Sequence, residues 1–301
     1  MKFRLAFTLG LAAALLAWGT VNAQQFRFRA GGDHEVRHRV RDVVRHVIVH
    51  GPPAMVGQPR NDDPCRDGGW NDDNYRSCDI REYTMPAGAL TVDAGRNGGI
   101  RVDGWDRGEI RVQAIVVAQA RREEEAKQLA SEVQVQAGGG RVSATGPSNG
   151  NRERWSVSYR INVPRRTDLE LVANNGGITI TDVSGNIRFE TTNGGVRLTD
   201  LAGDVRGETS NGGLTVALAG DRWDGTGIDV QTSNGGVTLM IPDNYNADLT
   251  TRTANGGFQS EVPLTLQGEL SPRRGISTTL GSGGPPVNVR TTNGGVRLSR
   301  R

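Results

Sequence analysis

Histidine disappears from this chain after residue 50, lysine is reduced to Lys2 and Lys127, and the only cysteines are Cys65 and Cys78. These shortages remove several chemistries at once. No Ser-His-Asp arrangement can be assembled from the region beyond residue 51, and no Gly-x-x-x-x-Gly-Lys-Ser/Thr phosphate loop is present. A cysteine nucleophile is excluded as well if the single pair is oxidised. Aromatic residues make up only 5% of the 301, against 42 glycines, which argues against a conventional globular core. Disorder is the competing reading of so much glycine, but disordered tracts lack the regular Val/Ile/Leu alternation found here.

What is abundant is one tripeptide. Asn-Gly-Gly occurs seven times, beginning at Asn97-Gly98, Asn175-Gly176, Asn193-Gly194, Asn211-Gly212, Asn234-Gly235, Asn255-Gly256 and Asn293-Gly294, and an apolar residue follows each copy. From Asn175 onward the steps are 18, 18, 23, 21 and 38 residues, the last close to two units with one turn degraded. A period near twenty marks a stacked repeat fold. Asn and Gly both tolerate left-handed dihedrals, so the triplet reads as a sharp corner. Its flanks alternate with period two, as in Leu214, Val216 and Leu218 or Val237, Leu239 and Ile241, the pattern of half-buried strands. A second turn signal, Ser184-Gly185-Asn186 or Ala202-Gly203-Asp204, lies midway between triplets.

Two architectures fit, an antiparallel meander of hairpins or a parallel solenoid. Asn-Gly alone favours the hairpin. Identical corners at one phase favour the solenoid, because like residues then stack and bury a continuous core that no single unit supplies. The expectation is therefore an all-β fold, a single-stranded parallel β-helix or solenoid of short repeats, over residues 85–301. Its asparagines are read as satisfying corner backbone groups. One helix is expected at residues 118–132, rich in helix formers with Glu123 and Lys127 at i and i+4, capping or bracing the N-terminal end.

Residues 1–23 read as a secretory signal peptide, with Lys2 and Arg4 before an apolar run from Leu11 to Trp18 and small residues at Val21-Asn22-Ala23. That run is too short to be kept as a membrane span, and no cysteine follows the cleavage point to carry a lipid. Removal of the two basic residues lowers the net charge from +3 to +1, so a nucleic-acid partner is not expected. Residues 24–60 form a basic, partly disordered arm holding His34, His38, His46 and His50; a four-residue stepping makes these weak candidates for metal ligation, with no third ligand set. Residues 61–84 form a loop in which Cys65 and Cys78 pair as a disulfide in an oxidising compartment. Its aspartates do not follow the EF-hand spacing and read as solvated.

No cofactor is expected, and acids such as Asp200, Asp204 and Glu208 sit near corners where solvated carboxylates are ordinary. Thr191, Thr209, Thr232, Thr253 and Thr291 recur two residues before Asn. Stacked, they form a hydroxyl ladder, which either bonds internally or offers a flat polar strip to glycans or to another envelope protein. At the C-terminus, Val296 and Leu298 read as a last strand whose free edge Arg297, Arg300 and Arg301 guard, so that the protein is a monomer or self-associates weakly through edges.

The stretch Cys78-Asp79-Ile80-Arg81-Glu82, the turn Gly95-Arg96-Asn97-Gly98-Gly99-Ile100 with Gly104-Trp105-Asp106 after it, and the serial Thr-x-Asn-Gly-Gly units resemble the bacterial exported adhesin-like domain family of unknown function. The resemblance covers about residues 78–301. It implies a β-solenoid and an envelope location, in the periplasm or at the cell surface, and brings no catalytic residues with it. The functional expectation is a non-enzymatic binding or scaffolding module; the alternative is a polysaccharide lyase or hydrolase on a β-helix.

Overall fold

The structure is a computed structural model that describes residues 74–148, 153–261 and 275–301, with Cys65, Gly150 and residues 270–271. The expected signal peptide, the histidine arm with His34, His38, His46 and His50, and Asp62, Asp63, Asp67, Asp72 and Asp73 of the loop lie outside the described residues. In chain order, β1 (Tyr75–Pro86), β2 (Leu90–Asp93), β3 (Ile100–Trp105) and β4 (Glu109–Ala120) lead into α1 (Glu123–Glu132), and β5 (Gln134–Gly138), β6 (Arg141–Thr145) and β7 (Arg154–Pro164) follow. The repeats come next as strand pairs: β8 (Leu169–Ala173) with β9 (Ile178–Thr181), β10 (Ser184–Asn193) with β11 (Val196–Thr199), β12 (Ala202–Asn211) with β13 (Leu214–Ala217), β14 (Gly227–Asn234) with β15 (Val237–Ile241), and β16 (Ala247–Asn255) with β17 (Phe258–Ser260). After these come β18 (Leu270–Ser271), β19 (Gly275–Leu280), β20 (Pro286–Asn293) and β21 (Val296–Arg300).

Each repeat contributes one strand to each of two large sheets, and like strands stack in parallel without slippage. Ile187 stands beside Leu169 and Val205, and Val196 beside Ile178 and Leu214. This is the solenoid that the repeat phase favoured, not the meander. The alternating apolar residues all point between the sheets: Ile178, Ile180, Leu214, Val216, Val237 and Leu239 are at most 1% exposed. Each such side chain contributes about 1.5–3 kcal/mol by leaving water, and one contiguous, mainly aliphatic core runs through the coils.

Two features of the order in space differ from the chain order. β20 and β21 insert between the coil of β14 and β15 and the coil of β16 and β17. The 38-residue step is thus not two stacked units. It holds β17, the second strand of the outermost coil, an antiparallel return in which β19 pairs with β16, and β20, the first strand of a last coil that slots back inside. The C-terminal strand β21 is consequently bonded on both sides, and the expected free edge does not exist there. Arg300 faces Asp243 at 3.8 Å, and Arg301 grips both carboxylate oxygens of Asp200 while donating to the Leu218 carbonyl at 2.7 Å. These arginines act as clamps, and the sheet edge falls instead to β17, three residues long, a length that itself blunts an edge.

At the other end, β2 and β3 make the first coil, and residues 109–164 leave it to cover the opening. The sheet begins at Tyr75, inside the stretch expected to be loop, because β1 pairs along its full length with β4. The helix is shorter than expected: residues 118–120 continue β4, where Ala118 and Ala120 are fully buried. α1 buries Ala126, Leu129 and Ala130, of which Leu129 and Ala130 join the end of the core. Glu123, Glu124 and Glu125 occupy its positive end, Lys127 reaches Glu123 at 2.6 Å, and no basic residue lies in its last turn. Arg81 of β1 supplies that charge from outside, donating to the carbonyls of Val133 at 2.5 Å and Ala130 at 2.9 Å. Cys65 and Cys78 form a disulfide with a Cα separation of 5.9 Å, fastening Cys65 to β1.

Candidate functional site

The Asn-Gly-Gly corners place all seven asparagines in one row. Read along the solenoid, Asn175 donates to Asn97 at 3.1 Å, Asn193 to Asn175 at 2.8 Å, Asn211 to Asn193 at 2.9 Å, Asn234 to Asn211 at 2.9 Å, Asn293 to Asn234 at 2.8 Å, and Asn255 to Asn293 at 2.8 Å. The side chains thus bond mainly to one another rather than to corner backbone groups; Asn175 alone also donates to a carbonyl, that of Arg96. A carboxamide has two N–H donors and two acceptor lone pairs. Along most of the ladder one of each is used, which leaves a donor and a lone pair per coil directed at water.

The reason for glycine after Asn is also different from the one expected. None of the seven asparagines has a positive φ, and neither does Gly212. A Cβ on Gly212 would instead lie 2.2 Å from the Gly194 carbonyl oxygen of the next coil, so the constraint is close approach of stacked backbones. Left-handed geometry belongs to the opposite corner, at Asp182 (φ 57), Asp200 (φ 55) and Gly203 (φ 97).

The threonines named as a binding ladder are not on the surface. Thr191, Thr209, Thr232, Thr253 and Thr291 are at most 5% exposed, and each hydroxyl donates at 2.7–2.9 Å to a glycine carbonyl of the neighbouring coil, as Thr209 does to Gly194 and Thr232 to Gly212. Buried hydroxyls need such partners, and these ones tie coil to coil. The exposed row is one residue further on: Asn174, Thr192, Ser210, Ser233 and Thr292 stand outside, beside the asparagines. With strands about 4.8 Å apart, seven coils give a flat polar strip about 29 Å long.

Arginine-bearing clefts flank this strip at its two ends. Near the first coils, a cleft of about 470 Å³ is lined by Asn97 and Asn175 together with Arg76, Arg101, Arg160 and Ser158. At the last coils, an open groove of about 840 Å³ brings Arg252 and Arg290, direct neighbours in register, beside Gln231, Ser233 and Thr292. Arg290 also holds Asp229. The adjacency of Arg252 and Arg290 follows from the inserted coil, and the sequence signal for it was their common place three residues before Asn.

The carboxylates weighed for hydrolysis are engaged elsewhere. Asp200 is held by Arg301, Asp204 lies 3.2 Å from Arg206 and 3.8 Å from Arg188, and Glu208 accepts from Gln231 at 2.7 Å. Among the described residues, no group of three or more His, Cys, Asp or Glu side chains is placed to hold a metal. Shifted groups report structure: hydrogen bonding and charge from Arg165 hold Asp106 below the usual carboxylate range. Burial, with Asp221 nearby, pushes Tyr245 up to about 12, and burial pushes Tyr159 higher still, with Asp93 and Tyr83 adding to it. Both phenol oxygens are buried without a hydrogen-bond partner in the structure. No helix among the described residues is long and apolar enough to cross a membrane.

A family described as Toastrack DUF4097 matches residues 105–299. No curated protein matches. Among solved structures, a "putative cell adhesion protein" from Clostridium sporogenes is 12% identical with a TM-score of 0.36, over 74% of this chain and 100% of its own. A "putative adhesin" from Bacteroides fragilis is 10% identical with a TM-score of 0.30, over 75% and 97%. A "putative lipid binding protein" from Parabacteroides distasonis is 10% identical with a TM-score of 0.28, over 73% and 96%.

Proposed function

The chain belongs to the Toastrack family, and on that premise we propose that it is an exported, non-enzymatic binding or scaffolding module of the bacterial envelope. Its ligand on this reading is an extended glycan bearing acidic groups, held along the corner strip. The observation that carries the reading is the strip itself: one row of asparagines with spare donors and acceptors, one row of exposed Asn174, Thr192, Ser210, Ser233 and Thr292, and arginines at both ends. A repetitive surface suits a repetitive ligand, because each added coil offers the same contacts at the same spacing. The disulfide supports export, since such bonds persist in oxidising compartments.

The alternative, a lyase or hydrolase, needs free acidic and basic side chains facing each other in a groove. Asp200, Asp204 and Glu208 are instead committed to ion pairs and hydrogen bonds. Purified protein screened against acidic and neutral envelope polysaccharides should retain the acidic ones in affinity electrophoresis and release no shorter products. Turnover abolished by substituting one acid cluster would replace this reading with the enzymatic one.

A further inference from the structure

The ladder is built from seven Asn-Gly pairs, the dipeptide in which asparagine is chemically least protected by its neighbour. In spontaneous deamidation, the glycine main-chain nitrogen attacks the asparagine Cγ. An N–Cγ bond forms, the bond from Cγ to the side-chain nitrogen breaks, and ammonia leaves carrying the glycine amide proton. Water then opens the resulting succinimide to aspartate or isoaspartate. Attack requires a glycine amide that is not already donating and a side chain that can swing over it.

In five of the seven copies the fold denies the first requirement. Gly98 donates to Asn175 O at 3.3 Å, Gly194 to Asn211 O at 3.0 Å, Gly212 to Asn234 O at 3.0 Å, Gly235 to Asn293 O at 3.0 Å and Gly294 to Asn255 O at 2.9 Å. Among the described residues, the amides of Gly176 and Gly256 donate to no carbonyl. These two are then separated by the second requirement. Asn175 donates to Arg96 O at 2.8 Å and to Asn97, and accepts from Asn193. Asn255 makes one side-chain hydrogen bond, to Asn293, and belongs to the outermost coil, where an atom added at Gly257 would meet nothing within 4 Å.

We propose that Asn255 is the deamidation site of the ladder, and that stacking protects the other six asparagines. The product carboxylate cannot donate to Asn293 Oδ1, so the reaction both adds a negative charge beside Arg252 and Arg290 and removes one of the bonds between the outermost coil and its neighbour. The folded chain therefore undergoes a slow, irreversible change at one defined position.

The test is to hold the full chain at mildly alkaline pH and follow each Asn-Gly peptide by mass, with enzymatic methylation of isoaspartate as a second readout. Asn255 should convert first, more than about tenfold ahead of Asn193, Asn211 and Asn234, because those require a coil to open locally. In denaturant the ladder sites should react at similar rates. Equal rates in the folded protein would overturn the proposal. So would a lead for another ladder asparagine, or a lead for Asn255 that persists in denaturant and therefore belongs to sequence. Asn149, which also precedes glycine, lies outside the described residues and is scored separately.

Discussion

Gly212 and Gly213 are adjacent, neither needs a left-handed backbone, and they should respond oppositely to a single methyl group. A Cβ on Gly212 would stand 2.2 Å from the Gly194 oxygen, 2.5 Å from its carbonyl carbon and 2.9 Å from the Gly195 nitrogen, whereas a Cβ on Gly213 would meet only the Gly236 oxygen at 3.7 Å. Relieving the first overlap means parting two coils by roughly an ångström against a fixed strand spacing. The bonds that resist are Gly194 N to Asn211 O at 3.0 Å, Val196 N to Gly213 O at 2.9 Å and the Thr209 hydroxyl to Gly194 O at 2.9 Å. At about 1 kcal/mol each, their weakening amounts to about 3 kcal/mol, the upper end for overpacking. For a domain of this size, that lowers Tm by about 6–12 °C. Gly213→Ala should be neutral or gain about 0.5 kcal/mol by restricting the unfolded chain. Urea and thermal unfolding of both variants measure this directly. Similar losses at the two positions would refute close coil approach as the reason for glycine directly after the corner asparagine.

Free-thiol labelling of denatured, unreduced protein should find neither Cys65 nor Cys78, and reduction should cost about 3 kcal/mol for a ring of this size; quantitative labelling of both would refute the pairing. Arg301→Ala should lose about 1 kcal/mol with its carboxylate clamp, and replacing Arg297, Arg300 and Arg301 by Thr should cause no concentration-dependent association in light scattering, since β21 is already paired on both sides. In an alkaline titration of tyrosinate absorbance, Tyr245 should ionise near 12 and Tyr159 beyond it. Because these folded values lie above the unfolded value of about 10, their contribution is complete below pH 10 and is lost as pH rises toward 12. Unfolding that begins well below pH 10 would contradict tyrosine as its cause.

The solenoid was legible because period, corner and alternation agreed: Ile178, Val196, Leu214, Val237 and Val296 follow their triplets at one phase and stack in one sheet. The order of the last coils was not, since any two coils of equal phase can stack and the sequence does not say which neighbours which. β1 was partly missed because its polar Arg76, Asp79, Arg81 and Glu82 mask a strand held by its partner β4. At the site, phase located the right corner but not the right row. Thr and Ser are both small hydroxyls, and only the strand pleat decides that Thr209 turns inward while Ser210 turns outward. The asparagine ladder needed stacking distances that no single repeat reveals.

The most direct test of the central claim is binding of an acidic envelope polysaccharide by a Ser210→Glu, Ser233→Glu double variant, with Thr226→Glu at the opposite corner as control. All three side chains are exposed, so the folds should give the same circular dichroism. Two carboxylates in the middle of the strip should weaken binding at least tenfold, about 1.4 kcal/mol, and the control should bind as the unmodified protein does. Equal affinity in the double variant and the unmodified protein would place the ligand elsewhere and contradict the corner strip as its site.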